Sequence, residues 1–447
     1  MWKYSNYWWK LWCFKESISD RERERVASDT NAFYDVIYID PPYNTESSLS
    51  DGNSLKNGEK DDIAASKFIY RDKFSRTGWL NMMSERLRMA KDLLKEDGVI
   101  FVSIDDTEQA YLKVLMDEIF GEENFVVNLI WQKTTAPKNN SKYFSINHDY
   151  ILLYSKNKNK LNISLDERTE KQLKEYKNND NDSRGPWTRI KLRSPKYNKS
   201  NDYEIEYMGK VYKQPEGFSW VVSKETMKKL IDENRVYSEG SMLRKKAFLY
   251  ESKNGVTPIS ILLKDKVGIS QSGTELLRKI IGNLFDYPKP VSLIKYLISK
   301  IPNKNARVLD FFAGSGTTGH AVMELNREDG GNRTFTLVTN NENNIAYDVT
   351  YERLYRINNG KGTKEESFKW LEKNKPYKQN LNVFNIEYFD TKLFDDNVNN
   401  ELIKQTLIDE LQDNGITTFT KFEKQLYFDL MSLKPLDTDK ENENGGN

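Results

Sequence analysis

Val308-Leu-Asp-Phe-Phe-Ala-Gly-Ser-Gly-Thr-Thr-Gly319 is the stretch whose reading decides the fold. Its apolar start predicts a strand over residues 307–312, and Thr317 opens a helix that runs to Asn326. Strand, glycine loop and helix in that order form part of a βαβ unit. Gly314, Gly316 and Gly319 satisfy the G-x-G-x-x-G spacing, a weak signal that leaves a dinucleotide fold open. No Lys follows the last glycine, which excludes a Walker loop. A loop without side chains lets a ligand approach the helix N-terminus, which suits a carboxylate as well as a phosphate. The methionine carboxylate of S-adenosylmethionine fits such a loop, lined by Ala313, Gly314, Ser315, Gly316 and Thr317. Glu342, just past the next predicted strand, is placed to hold ribose hydroxyls under either reading.

The α/β rhythm extends in both directions. Residues 334–338 predict a strand, followed by a helix near 345–357. A helix is also expected after Pro288. Upstream, Asp35-Val-Ile-Tyr-Ile-Asp40 is a β-branched run stopped by Pro41-Pro42, hence a strand ending in a loop. Leu80, Met83, Leu87 and Leu94 keep helical spacing, with Gly98 as the expected terminator. Residues 99–104 predict the next strand, and Thr107 is the expected cap of a helix through Ile119. Alternating strands and helices imply parallel strands with right-handed crossovers. The expected fold is therefore a doubly wound, mostly parallel α/β sheet. Residues 156–265, rich in Lys, Asn, Ser and Tyr, break the rhythm and predict an inserted domain.

The second chemical signal is Asp40-Pro41-Pro42-Tyr43-Asn44 at the carboxyl end of its strand. The lone pair of adenine N6 is delocalised into the ring. A site that methylates it must accept hydrogen bonds from both N6 hydrogens. Asp40 offers a carboxylate and Pro41 a backbone carbonyl, while Pro41-Pro42 stiffens the loop. Tyr43 offers a ring face to a base extruded from a duplex. Asp40 and Asp310 each end a predicted parallel strand, where open α/β sheets bind ligands. Acceptor and donor pockets are thus expected to meet on one rim. No hydride-transfer residue is evident, which disfavours a dinucleotide-dependent oxidoreductase.

Composition narrows the classes. Of 447 residues, 37% are hydrophobic and 30% charged, and no apolar run approaches a membrane span. The single cysteine, Cys13, excludes an internal disulfide framework, and two histidines disfavour a His-based metal centre, so no metal is expected. The net charge of +1 hides an asymmetry: residues 156–246 hold 22 Lys and Arg against 14 Asp and Glu. That excess reads either as a solvated surface or as a nucleic-acid contact.

These strings resemble DNA amino-methyltransferases, specifically the modification (Mod) subunits of type III restriction–modification systems. The likeness runs from about Asp35 to Phe394. It includes Phe74 to Trp79, Gly98 to Asp106, Phe120-Gly-Glu-Glu-Asn-Phe125 and Phe285-Asp-Tyr-Pro-Lys-Pro290. The order of catalytic motif, variable insert and donor loop is similar to the permuted β class. The resemblance implies a Rossmann-like methyltransferase using S-adenosylmethionine, with donor contacts from Asp310, Phe312, Gly314 and Lys289. It implies that 156–265 is a target-recognition domain between a catalytic half, 35–155, and a donor-binding half, 266–359. It also implies double-stranded DNA as substrate, a restriction (Res) subunit as partner, a homodimer and a cytoplasmic location. Asp-Pro-Pro-Tyr favours adenine N6, with N4-cytosine as the alternative. Residues 360–447 are expected to form a small helical region with a charged, disordered end, serving dimerisation or Res contact.

Residues 1–34 are atypical. Trp2, Trp8, Trp9 and Trp12 crowd there without a signal-peptide pattern, leaving an interfacial anchor as one alternative. Similar enzymes carry a longer leading segment with a Gly-Asp strand, which is not found here. The alternative to an active enzyme is thus a truncated or phase-variant form that only binds DNA or the restriction subunit. Arg21-Glu-Arg-Glu-Arg25 reads either as the trace of a slipped AG repeat or as a charged turn or helix end. His148 and His320 are expected to be structural, and Asp105 and Asp106 to serve the loop or a helix cap.

Overall fold

Strand β1, Tyr34–Ile39, is buried along its whole length, because its side chains enter two different cores. The computed structural model describes residues 33–45, 74–137, 141–385 and 405. The Trp-rich start and the Arg-Glu run lie outside the described residues, as does the end of the tail. Ile37 and Ile39 pack on one face of the sheet, Val36 and Tyr38 on the other. A strand covered on both faces favours apolar residues throughout, which explains the run from Val36 to Ile39, and the buried Asp35 is satisfied by Lys95, Asn303 and the Arg307 N–H.

Six further strands complete the sheet: β2 (Leu94–Ile104), β3 (Phe125–Gln132), β4 (His148–Ser155), β5 (Ile261–Leu262), β6 (Arg307–Asp310) and β7 (Thr334–Leu337). Their order is β5-β3-β4-β2-β1-β6-β7. β1 pairs in parallel with both β2 and β6, β6 with β7, and β5 with β3. β4 runs antiparallel to β2 and β3. The sheet is therefore mostly parallel, with one reversed strand that the α/β rhythm did not reveal.

Helices cover both faces. On the first lie α1 (Arg76–Leu93) and α2 (Gln109–Phe120), presenting Trp79, Met83, Leu87, Leu112 and Met116. On the second lie α4 (Val291–Ser299) and α5 (Thr317–Asp329), presenting Leu293, Ile294, Leu297, Ala321 and Val322. α3 (Ser270–Ile281) and α6 (Glu352–Asn359) build a third cluster with Trp370 beside β7. A π-helical turn, Ala346–Tyr351, leads into α6.

Two local expectations change. α1 ends at Leu93 and turns directly into β2, so Gly98 lies inside a strand. A Cβ there would sit 2.9 Å from the Tyr34 carbonyl oxygen, so the glycine serves a close approach of β1 and β2. α2 starts one residue later than expected, with Glu108 at its N-cap in place of Thr107. The Asp105 carboxylate instead accepts the Thr107 N–H at 2.9 Å.

A second compact unit comprises Leu165–Ile259, narrower than the insert expected at 156–265. The flanks belong to the first unit: Ser164 N–H donates to the Lys300 carbonyl, and Ile261–Leu262 form β5. The second unit has an antiparallel sheet of 187–191, 242–248 and 236–239 and a helix, Lys224–Asp232. Leu192, Tyr212, Trp220, Met227 and Leu243 form its core. Its buried Lys246 is held by Asp180 at 2.5 Å and Asp182 at 3.3 Å. Lys191, Lys196, Lys199, Lys224 and Lys228 are exposed. In the tail, the described residues 360–385 contain a single short helical turn, Lys369–Glu372, and the remainder of the expected helical region, save Gln405, lies outside the described residues.

Candidate active site

Register brings the two motifs together. Val36 lies opposite Val308 and Ile37 opposite Leu309, so the parallel strands β1 and β6 end side by side. Asp40 and Asp310 leave the same edge of the sheet. Both line a cavity of about 740 Å³ shared by Pro41, Pro42, Tyr43, Lys289, Phe312 and the glycine loop. That volume lies in the range of small-molecule sites, about 300–1,000 Å³.

The Asp40 loop is bolted down from beneath. Trp79, fully buried on α1, donates its indole N–H to the Pro42 carbonyl at 2.7 Å. Asn44 adopts a left-handed backbone, φ 62°, which Asn tolerates better than most residues. Its side chain donates to Glu108 Oε1 and accepts the Phe74 N–H, both at 2.8 Å. Burial raises the Glu108 pKa, opposed by the Asn44 bond and the Arg76 charge. Asn44 was given no role in the sequence reading, and Glu108 carries no local signal at all.

Asp40 itself holds a cation. Lys289 Nζ lies 2.7 Å from both carboxylate oxygens and 4.9 Å from the centre of the Tyr43 ring. Among the described residues, the buried Tyr43 hydroxyl lacks a well-formed hydrogen bond, and burial followed by the Asp40 charge raises its pKa well above 10. Lys289, expected near a donor, lies against the Asp40 carboxylate and lines the same cavity as the glycine loop. α3 lies directly on its backbone: a Cβ at Gly273 would fall 2.3 Å from the Pro288 carbonyl oxygen. Asp149, a buried carboxylate missed in the sequence, lines the same cavity and is held by Lys133 at 2.5 Å. Burial raises its pKa, against the opposing charges of Lys289 and Lys133.

Asp310 accepts the Thr318 hydroxyl at 2.5 Å and the Phe312 N–H at 3.0 Å. Burial pushes its pKa up to about 7, with those two bonds opposing and the Asp40 charge adding to the rise. Phe312, Ala313, Gly314, Ser315, Thr317 and Glu342 line the cavity, whereas Gly316 does not. Gly316 is the N-cap of α5, at φ 72°, packed against Thr350. Gly314, at φ 48°, has Phe285 across from it at 3.4 Å from a would-be Cβ. Glu342 is exposed at the cavity mouth. Beneath the loop, Arg353 donates to the Ser315 carbonyl and hydroxyl, both at 3.1 Å, and to the Thr317 hydroxyl at 2.8 Å. A signal for Arg353 existed: with Val349 and Ile357 it shares a helix stripe that is otherwise apolar.

The bland expectations can be placed as well. His320 is fully buried between Arg353 and Tyr377. His148 packs edge-on against Tyr150, whose hydroxyl donates to Asp106 at 2.8 Å.

Residues 34–359 match a family model described as DNA methylase. The chain is 36% identical over 351 residues to the type III restriction-modification enzyme StyLTI Mod subunit of Salmonella typhimurium, covering 72% of this chain and 52% of that one. It is 33% identical to the EcoPI Mod subunit of Escherichia phage P1, covering 72% and 57% respectively. It is 29% identical to the type II methyltransferase M.KpnI of Klebsiella pneumoniae, covering 72% and 80%. The chain thus spans little more than half the length of the first two relatives.

Proposed function

The chain belongs to the DNA methylase family, and from that premise we propose that it moves a methyl group from S-adenosylmethionine to adenine N6 in duplex DNA. We read it as the modification component of a type III restriction–modification system, after the relatives it matches. The observation that carries the reading is the single cavity shared by Asp40, Pro41 and Tyr43 with the glycine loop. A methyl acceptor on one side and a methyl donor on the other need such a shared space.

The residues suit the donor. Phe285, Phe312 and Ile345 offer apolar surface to its adenine, and Glu342 a carboxylate to its ribose. The first turn of α5 offers N–H groups and a positive dipole to its carboxylate. Bound there, the donor supplies an electrophilic methyl on a sulfonium.

The chain's own groups do the rest. A flipped base stacks on Tyr43, recovering part of the few kcal/mol that extrusion costs. Its amino group presents two N–H donors, and Asp40 with the Pro41 carbonyl accepts them. The Pro42 carbonyl already accepts from Trp79, which is why the Pro41 carbonyl is assigned to the base. The base amine takes one Asp40 oxygen while the Lys289 ammonium, now at both, keeps the other and holds the carboxylate in place. The N6 lone pair then forms the new N–C bond as the S–C bond breaks, and N6 gives up a proton to Asp40 or to water.

The unit Leu165–Ile259, with its exposed lysines, serves as the DNA-recognition element. A homodimer, a Res partner and a cytoplasmic location complete the proposal. The test is transfer of labelled methyl to duplex DNA, followed by nucleoside analysis. Label in N6-methyladenine is expected, and Asp40→Ala should abolish it while leaving DNA binding, because phosphate contacts supply much of the affinity. Label in N4-methylcytosine would overturn the choice of base, and retained transfer by Asp40→Ala would remove Asp40 from its role.

A further inference from the structure

Arg353 is 1% exposed, yet every hydrogen bond it makes goes to a neutral group: the Ser315 carbonyl and hydroxyl, the Thr317 hydroxyl and His320 Nδ1. A guanidinium only donates, so His320 Nδ1 accepts and its Nε2–H is left to face the Tyr377 hydroxyl at 3.2 Å. Burial, with Arg353 adding to it, lowers the His320 pKa well below 6.5, so this ring is neutral. Glu324, the carboxylate whose charge reaches Arg353, is held by Lys295 at 2.8 Å. Burial brings the Arg353 pKa down to about 9, which leaves it charged at neutral pH.

Buried charges are normally paired or expelled. This one has no ion-pair partner among the described residues, and two of the groups it touches, Ser315 and Thr317, line the cavity. Both sit at the start of α5, whose dipole has the same sign. The arrangement stores positive charge behind the loop and hands it forward through two hydroxyls that bond each other at 3.2 Å, one donating to the other and the second keeping its hydrogen for the cavity. An anion in front of the loop is the missing partner.

We propose that Arg353 is the positioning residue that selects the carboxylate of the methyl donor, acting through Ser315 and Thr317 without touching the ligand. This rests on the donor-site reading above and adds its source of charge selectivity. The donor's nucleoside needs no such charge, so the effect belongs to the carboxylate alone.

The test compares two ligands that differ only in that group: S-adenosylhomocysteine and its decarboxylated form, S-adenosyl-3-thiopropylamine. Each is titrated calorimetrically into the full chain and into Arg353→Lys and Arg353→Gln. Gln keeps a donor amide and loses the charge; Lys keeps the charge and loses the fork. The wild-type chain should prefer the carboxylate-bearing ligand by about tenfold or more. Arg353→Lys should keep that preference within about threefold, and Arg353→Gln should lose most of it through weaker S-adenosylhomocysteine binding alone. Each variant is read separately, so one folded variant suffices. Equal weakening of both ligands by Arg353→Gln, or loss of the preference in Arg353→Lys, would overturn the proposal while leaving the donor site standing. Binding of neither ligand by the wild-type chain would instead overturn the donor site itself.

Discussion

Asp310→Asn should stabilise the first unit above pH 7 and leave it nearly unchanged near pH 4. Asp310 is buried, its two partners are neutral donors, and its pKa rises from 3.8 to about 7. An acid with a raised folded pKa holds its proton longer folded than unfolded. Below pH 4 both states are protonated and the group contributes nothing to the balance. Between pH 4 and 7 the unfolded chain ionises first, so stability falls by about 1.4 kcal/mol per pH unit. Above pH 7 the full penalty of about 4 kcal/mol is present. Asn removes the titration and keeps the shape. Its oxygen accepts the Phe312 N–H, and its amide donates to a Thr318 hydroxyl that rotates to receive it. The assay is urea unfolding of both proteins in parallel from pH 4.5 to 8. Every other titrating group is common to both, so the difference curve isolates Asp310. It should climb from near zero toward about 4 kcal/mol as pH rises. A difference that stays flat across that range would refute the claim that burial, uncompensated by a cation, controls this carboxylate.

Two further substitutions test the geometry around Asp40. Lys289→Met removes the cation lying 2.7 Å from both Asp40 oxygens, and methyl transfer should fall by about tenfold or more while donor affinity changes less than about threefold. Calorimetry and a rate assay separate the two, and a donor affinity weakened tenfold at an unchanged rate would assign Lys289 to the donor. Asn44→Ala breaks the bonds to Glu108 and Phe74 and places a Cβ-bearing residue with no polar side chain at φ 62°, so unfolding should become easier by about 2–4 kcal/mol. Asn44→Gly relieves the backbone and not the bonds, and a melting point equal to wild type would show that the side chain anchors nothing.

The strands β1, β2 and β6 were legible because their buried stretches are mainly apolar and are closed by Pro or Asp, and β7, only partly buried, because Thr and Phe alternate along it. The reversal at β4 was not, because its pairing with β2 joins residues some fifty positions apart and no local pattern encodes that. Gly98 misled for a related reason: glycine also appears where two backbones meet closely, and that need arises from Tyr34, far along the chain. Asp40 and the glycine loop could be found because their chemistry is carried by contiguous residues. Lys289 was noticed, but its contact with Asp40 could not be read, since nothing in Tyr-Pro-Lys-Pro says which carboxylate it will meet 249 residues away. Glu108, Asp149 and Trp79 hold the site by side-chain geometry that only the folded chain possesses.

The charges on the rim explain why a zwitterion is the complementary ligand. Asp40 has Lys289 at 2.7 Å and Asp149 has Lys133 at 2.5 Å. Asp310 has only neutral donors, and burial carries it to about 7. On the other side of the loop, Arg353 has only neutral acceptors. Thr318 bonds the uncompensated acid and Thr317, its neighbour in sequence, bonds the uncompensated base. A ligand bearing an ammonium and a carboxylate on one carbon would supply both missing partners at once. A phosphate would satisfy Arg353 and repel Asp310, and a neutral nucleoside would satisfy neither. The amino-acid end of S-adenosylmethionine is such a zwitterion. The glycine spacing alone, which leaves dinucleotides open, could not make that distinction; the two unpaired charges on either side of it do.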